Sequence, residues 1–145
     1  MLTGALIGLI VGVIFVLIKS NKEKRLLSSS KNQDLIDSPD FASIFYIATE
    51  EKFKGKSLKF YDYTGYGYLS NGIFNFQDQS GKKLSFDLKE VSVGFPEHKK
   101  RKLTWVSFTT DKNTYYVTCF TTNLFSVDRS SAQKFAQLIQ QTTNN

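Results

Sequence analysis

Between Leu2 and Ile18 the chain carries no charged residue and no proline, and the next seven residues read Lys19-Ser20-Asn21-Lys22-Glu23-Lys24-Arg25. As a helix this run is about 25 Å long, the short end of what crosses a hydrocarbon core of about 30 Å. It is apolar on every side, so it offers water no face and cannot behave as an ordinary amphipathic helix. A cleavable secretory signal would carry its basic residues ahead of the apolar core and end on small residues. Here Met1-Leu2-Thr3-Gly4 stand in front and Lys19 follows directly. A buried core helix is the remaining alternative. The flanks favour an uncleaved, single-pass transmembrane anchor over residues 1–19. Lys19, Lys22, Lys24 and Arg25 outnumber Glu23 just after it, and basic flanks stay on the cytoplasmic side. The bulk of the chain is therefore expected to be cytoplasmic, with Met1 to Thr3 facing out.

Within the anchor, Gly4, Gly8 and Gly12 recur every four residues. Glycine at that spacing lays a groove along one helix face, where a second backbone can approach closely. The groove would serve a homodimer or a lateral protein partner; glycine is also simply common in transmembrane helices.

Residues 20–40 form a basic flank followed by Leu26-Leu27-Ser28-Ser29-Ser30-Lys31-Asn32-Gln33-Asp34-Leu35-Ile36-Asp37-Ser38-Pro39-Asp40. This stretch holds too few large apolar residues for a core, and Pro39 pushes Ser38 towards an extended conformation. A flexible linker is expected. Residues 41–145 leave room for one small domain. They hold 14 Lys or Arg against 9 Asp or Glu, so the domain itself is basic. A basic body beside a membrane most naturally meets anionic headgroups, then acidic proteins, then nucleic acid.

Beyond the linker, short runs rich in Tyr, Phe, Val and Thr alternate with turn residues, which reads as a mainly β domain. Ile44 to Thr49 is ambiguous between strand and helix. Ser57 to Tyr63 alternates Leu58, Phe60 and Asp62 against Lys59, Tyr61 and Tyr63. Tyr66–Ser70 and Ile73–Gln77 flank Asn71-Gly72, a pair suited to the positive φ angles of a type I′ hairpin. Leu84, Phe86 and Leu88 alternate with Ser85, Asp87 and Lys89 along a strand with one wet face. Further runs span Val91–Phe95, Leu103–Thr110 and Tyr115–Thr121, with Phe95 and Trp105 expected in the core. The last segment starts at Ser130, has Gln133 three residues on, and sets Ala132, Phe135, Ala136 and Ile139 on one helix face.

Gly67-Tyr68-Leu69-Ser70-Asn71-Gly72-Ile73-Phe74-Asn75-Phe76, a Gly81-Lys82 turn, Leu84 to Val91 and the closing helix together resemble the GRAM and pleckstrin-homology-like family over residues 44–141. The resemblance implies a small β-barrel or bent seven-stranded sheet capped by a C-terminal α-helix. It also implies a binding module for lipid headgroups or proteins, without catalysis. In lipid-binding members basic residues on and after the first strand meet phosphates, and the resemblance assigns that place to Lys52, Lys54, Lys56 and Lys59. That stretch has no Arg, so bidentate reading of a particular phosphoinositide is not expected.

A second cluster, His98-Lys99-Lys100-Arg101-Lys102, lies between two strand runs. Lys99, Lys100, Arg101 and Lys102 repel one another unless something acidic lies opposite, either a leaflet or a partner; the alternative is a solvated turn whose charges block edge aggregation. Nucleic acid would want exposed aromatics among these charges and is not expected. Catalysis is not expected either, because the one His lies in the lysine-rich loop and Cys119 falls on an apolar strand face. One His and one Cys are too few for a zinc-type metal site, no phosphate loop is present, and no cofactor is implied. Three functions remain open: a membrane-anchored binding module, a structural or assembly subunit pairing through the glycine face, and a small enzyme or ligand carrier.

Overall fold

A computed structural model describes residues 39–97, 100–122 and 127–145. The anchor, its glycines, the basic flank and nearly all of the linker lie outside the described residues. Among the described residues no helix is long and apolar enough to cross a membrane.

The chain is mainly β. Seven strands, β1 (Phe41–Thr49), β2 (Tyr63–Ser70), β3 (Ile73–Asp78), β4 (Lys83–Asp87), β5 (Ser92–Gly94), β6 (Val106–Thr109) and β7 (Thr114–Cys119), form one curled sheet in the order β4-β3-β2-β1-β7-β6-β5. Every pairing is antiparallel. A short helix α1 (Glu50–Lys54) follows β1, and a two-stranded ribbon of β8 (Thr121–Thr122) and β9 (Val127–Asp128) leads into α2 (Ser130–Thr143).

Strand β1 is the hinge of this arrangement. It pairs with β2 on one side, Phe45 opposite Gly65, and with β7 on the other, Phe45 opposite Cys119. Ile44 to Ala48 are all buried, because both faces of the strand are covered. A strand wet on one face alternates; one covered on both reads as a continuous apolar run, which explains the ambiguity of Ile44–Thr49.

Two cores result. Inside the curl, Phe45, Ile47, Phe74, Phe86, Phe108 and Val117 pack against Ala132, Phe135, Ala136 and Ile139 of α2. On the outer face of β1, Ile44, Tyr46 and Ala48 pack with Phe53, Leu103, Trp105 and Phe120. Each fully buried ring of this kind contributes about 1.5–3 kcal/mol by leaving water. Among the described residues, both cores are built from side chains between Phe41 and Ile139.

The Asn71-Gly72 turn joins β2 to β3 with φ of 52° and 75°, as a type I′ hairpin requires. Gly65 is needed for a different reason. A Cβ there would lie 2.0 Å from the carbonyl oxygen of Gln77, so the β2–β3 crossing tolerates no side chain.

Several boundaries differ from those read in the sequence. Ser57 to Tyr63 is not a strand run: residues 55–62 form a loop, and β2 begins at Tyr63. Asp62, read as a strand position, instead accepts hydrogen bonds from the Thr49 N–H (2.8 Å) and hydroxyl (2.9 Å) at the start of α1. Strand β6 starts at Val106 rather than Leu103, because the Trp105 indole N–H turns back to the carbonyl of Lys100 (2.9 Å). Phe95 is 43% exposed rather than in the core, since β5 stops at Gly94 on the sheet edge. Ser130 does not cap α2: Arg129 occupies that position, and the Asp128 carboxylate takes the Ser130 N–H (2.9 Å).

Candidate basic surface

The two lysine-rich segments, nearly fifty residues apart in the chain, meet on the outer face of β1. Helix α1 forms because Glu50 and Glu51 sit in its first turn and Lys52 and Lys54 in its last, both favourable to the helix dipole. Its single buried residue, Phe53, stacks on Tyr116 at 3.9 Å and meets Trp105 edge-on at 5.2 Å. That anchors the helix over the sheet. Its last carbonyls then point at the second segment, where Lys100, Arg101 and Lys102 form one tight turn closed by the Leu103 N–H donating to the carbonyl of Lys100 (3.2 Å).

Lys100 closes the contact. Its ammonium donates to the carbonyls of Lys52 (2.6 Å), Phe53 (2.9 Å) and Gly55 (2.7 Å). Burial and then the like charges of Arg101 and Lys52 push its pKa below the ordinary lysine value. The three carbonyls oppose that push, because only the protonated amine carries three donors to match three acceptors. Lys100 is thus an internal strut rather than a free contact residue. Substituting Lys100→Met is expected to cost about 2 kcal/mol, the worth of charged hydrogen bonds whose acceptors can partly rehydrate. Thermal unfolding and amide hydrogen exchange over residues 52–58 measure this, and unchanged protection there would show the strut to be dispensable.

Arg101 also turns inward. One guanidinium nitrogen, Nη2, donates to the carbonyl of Leu58 (2.7 Å), and the group lies 5.7 Å from the Phe60 ring centre. To reach this position the backbone takes φ of 60° at Arg101 and 56° at Lys102, two successive left-handed residues that are not glycine. Each costs about 1–2 kcal/mol, and the contacts made by Lys100, Arg101 and Trp105 hold them there.

Of the sequence-predicted contacts, Lys54 is paired with Glu50 on the same helix face, a hydrogen bond and charge that raise its pKa. Lys52 is half-buried, while Lys56, Lys59 and Lys102 are exposed. Lys59 lies over the Tyr61 ring at 5.3 Å. Lys99 and His98 lie outside the described residues. The residue that sequence reasoning missed is Leu58. It was assigned to an apolar strand face, yet it is 89% exposed, between Lys56 and Lys59 on the loop that Arg101 holds.

One cleft away from these lysines has a different chemistry. It measures about 480 Å³ and is lined by Thr49, Glu50, Glu51, Asp111, Lys112 and Asn113, where the start of α1 meets the β6–β7 turn. It presents carboxylates beside one lysine. Cys119 is fully buried, and burial, opposed by a hydrogen bond with Ser43, pushes its thiol up to about 12. A thiol so placed stays protonated and is a poor nucleophile.

No protein-family model matches the chain, and no curated protein matches it in sequence.

Proposed function

We propose that this chain is a single-pass membrane-anchored binding module, pleckstrin-homology-like or GRAM-like in build, whose β domain contacts anionic lipid headgroups at the cytoplasmic membrane surface. The observation that carries this reading is the meeting of the two basic segments, with Lys56, Lys59 and Lys102 left exposed. Point-charge ammonium groups on flexible stems suit phosphates whose positions vary, as they do across a leaflet. Lysine is depleted in the cores of protein–protein interfaces, which argues against a protein partner at this surface. Nucleic acid would need exposed stacking rings, and the aromatics beside these lysines are committed inward: Trp105 is 2% exposed, and Phe60 and Tyr61 pack against Tyr46.

Sedimentation of residues 41–145 with vesicles tests the reading. At low salt the domain is expected to pellet with phosphatidylcholine vesicles containing phosphatidylserine, not with phosphatidylcholine alone, and the difference should fade as salt screens the charges. Equal pelleting with both would remove lipid from the reading and leave an acidic protein as the partner.

A further inference from the structure

A leucine at the tip of a loop is ordinarily unremarkable on a protein surface. Leu58 differs in how it is held. The loop of residues 55–62 is fastened at both ends and in the middle. At its start the Gly55 N–H donates to the carbonyl of Glu51 (2.9 Å), while the Gly55 carbonyl accepts from Lys100 (2.7 Å). At its end the Asp62 N–H donates to the carbonyl of Ile47 (2.8 Å), and the Asp62 carboxylate binds Thr49. In the middle Arg101 grips the carbonyl of Leu58 itself, and Phe60 turns inward to Tyr46, Tyr61 and Trp105. Every neighbour with an apolar body is drawn into the domain except Leu58, which is 89% exposed. A floppy loop would leave such a residue free to fold back. A loop pinned by the carbonyl of that same residue presents the side chain outward at no further ordering cost.

We propose that Leu58 is a preset apolar wedge that enters the acyl layer of an anionic leaflet, with Lys56 and Lys59 beside it at the level of the headgroups. The occupant follows from the chemistry. One leucine between two lysines of the same loop is far too small for a stable protein interface, which buries roughly 800 Å² on each side. It has the make-up of an interfacial membrane contact, in which a short apolar insertion adds to electrostatic attraction. Lysine stems can lie along the apolar boundary while their ammonium groups stay with the phosphates. Lys100 and Arg101 are positioning residues in this scheme, because they set the loop and do not meet lipid. The proposal rests on the membrane-facing reading above.

The test uses the full chain carrying Leu58→Cys, reconstituted in vesicles and labelled with a polarity-sensitive fluorophore. Cys119 does not compete for label, being buried and protonated. In vesicles of phosphatidylcholine with phosphatidylserine the label is expected to shift to the blue and to be quenched by nitroxides placed along the acyl chains. In phosphatidylcholine alone it should remain in water. The same label at the exposed Asn113, as Asn113→Cys, should stay in water in both. In addition, Leu58→Ser, which keeps every lysine, is expected to lower partitioning of residues 41–145 onto anionic vesicles about ten-fold, as loss of a buried leucine side chain does. Quenching of the Leu58→Cys label by headgroup nitroxides but not by acyl-chain nitroxides would overturn the wedge and leave headgroup contact standing. Quenching by neither would overturn both. Equal acyl-chain quenching at Asn113→Cys would assign the insertion to the dye and overturn the wedge as well.

Discussion

Replacing Phe135 by alanine is expected to lower the stability of the domain by about 3–5 kcal/mol, among the larger costs a single truncation can have. The ring is 1% exposed and sits where helix α2 meets the inside of the curled sheet. Its centre lies 4.8 Å from Phe45, 5.3 Å from Phe74 and 5.6 Å from Phe41, so it touches rings from β1 and β3 together. Neither of the two fully buried neighbours, Phe45 and Phe74, can collapse into the space. Phe45 is held on both sides by β-pairing, and Phe74 is packed against Phe86 and Phe108 as well. The cavity would therefore stay open, and its cost adds to the lost transfer energy. Urea unfolding followed by the fluorescence of Trp105, the only Trp in the chain, measures the change. Because Trp105 belongs to the other core, a loss seen there reports the whole domain rather than local fraying of the helix. A change below about 1 kcal/mol would mean that α2 is not part of the cooperative unit.

What could be read from the chain follows from how local each signal was. The β2–β3 hairpin was legible because Asn71-Gly72 fixes its own turn geometry, and β4 because Phe86 faces the core while Ser85 faces water. The buried face of α2 was legible from its spacing alone. Its start at Ser130 was legible too, but its cap was not, because the oxygen that takes the Ser130 N–H belongs to Asp128, two residues before the helix. The alternation at Leu58 and Phe60 misled for a tertiary reason: only the ring at 60 turns inward, and the backbone between follows Arg101 rather than a neighbouring strand. The basic residues themselves were evident. Their meeting was not, since the Lys100 contacts span 45 to 48 residues and no local pattern encodes them. Nor does a run of like charges announce that two of its members will serve as struts. Backbone carbonyls are acceptors that every sequence has and none displays.

That division of labour among the cations leads to the second large effect. The triple variant Lys56→Gln, Lys59→Gln and Lys102→Gln is expected to weaken binding of residues 41–145 to anionic vesicles by about 3 kcal/mol, roughly a hundred-fold, at about 1 kcal/mol for each lysine near the surface. All three side chains are exposed, and the one ion pair among the described residues joins Lys54 to Glu50, which none of the three substitutions touches. The unfolding midpoint should consequently stay where it was, within the few tenths of a kcal/mol usual for surface changes. Lys100→Met makes the instructive contrast. It removes a single charge, which alone would cost binding about ten-fold or less, but it also frees the carbonyls of Lys52, Phe53 and Gly55 and loosens the loop that carries Lys56 and Lys59. Its binding loss should therefore come with lost stability, whereas that of the triple variant should not. Isothermal titration with anionic vesicles beside urea unfolding of both variants separates the two. If the triple variant bound as tightly as the parent, the exposed lysines would not be the contact, and the basic surface would be a solvated face.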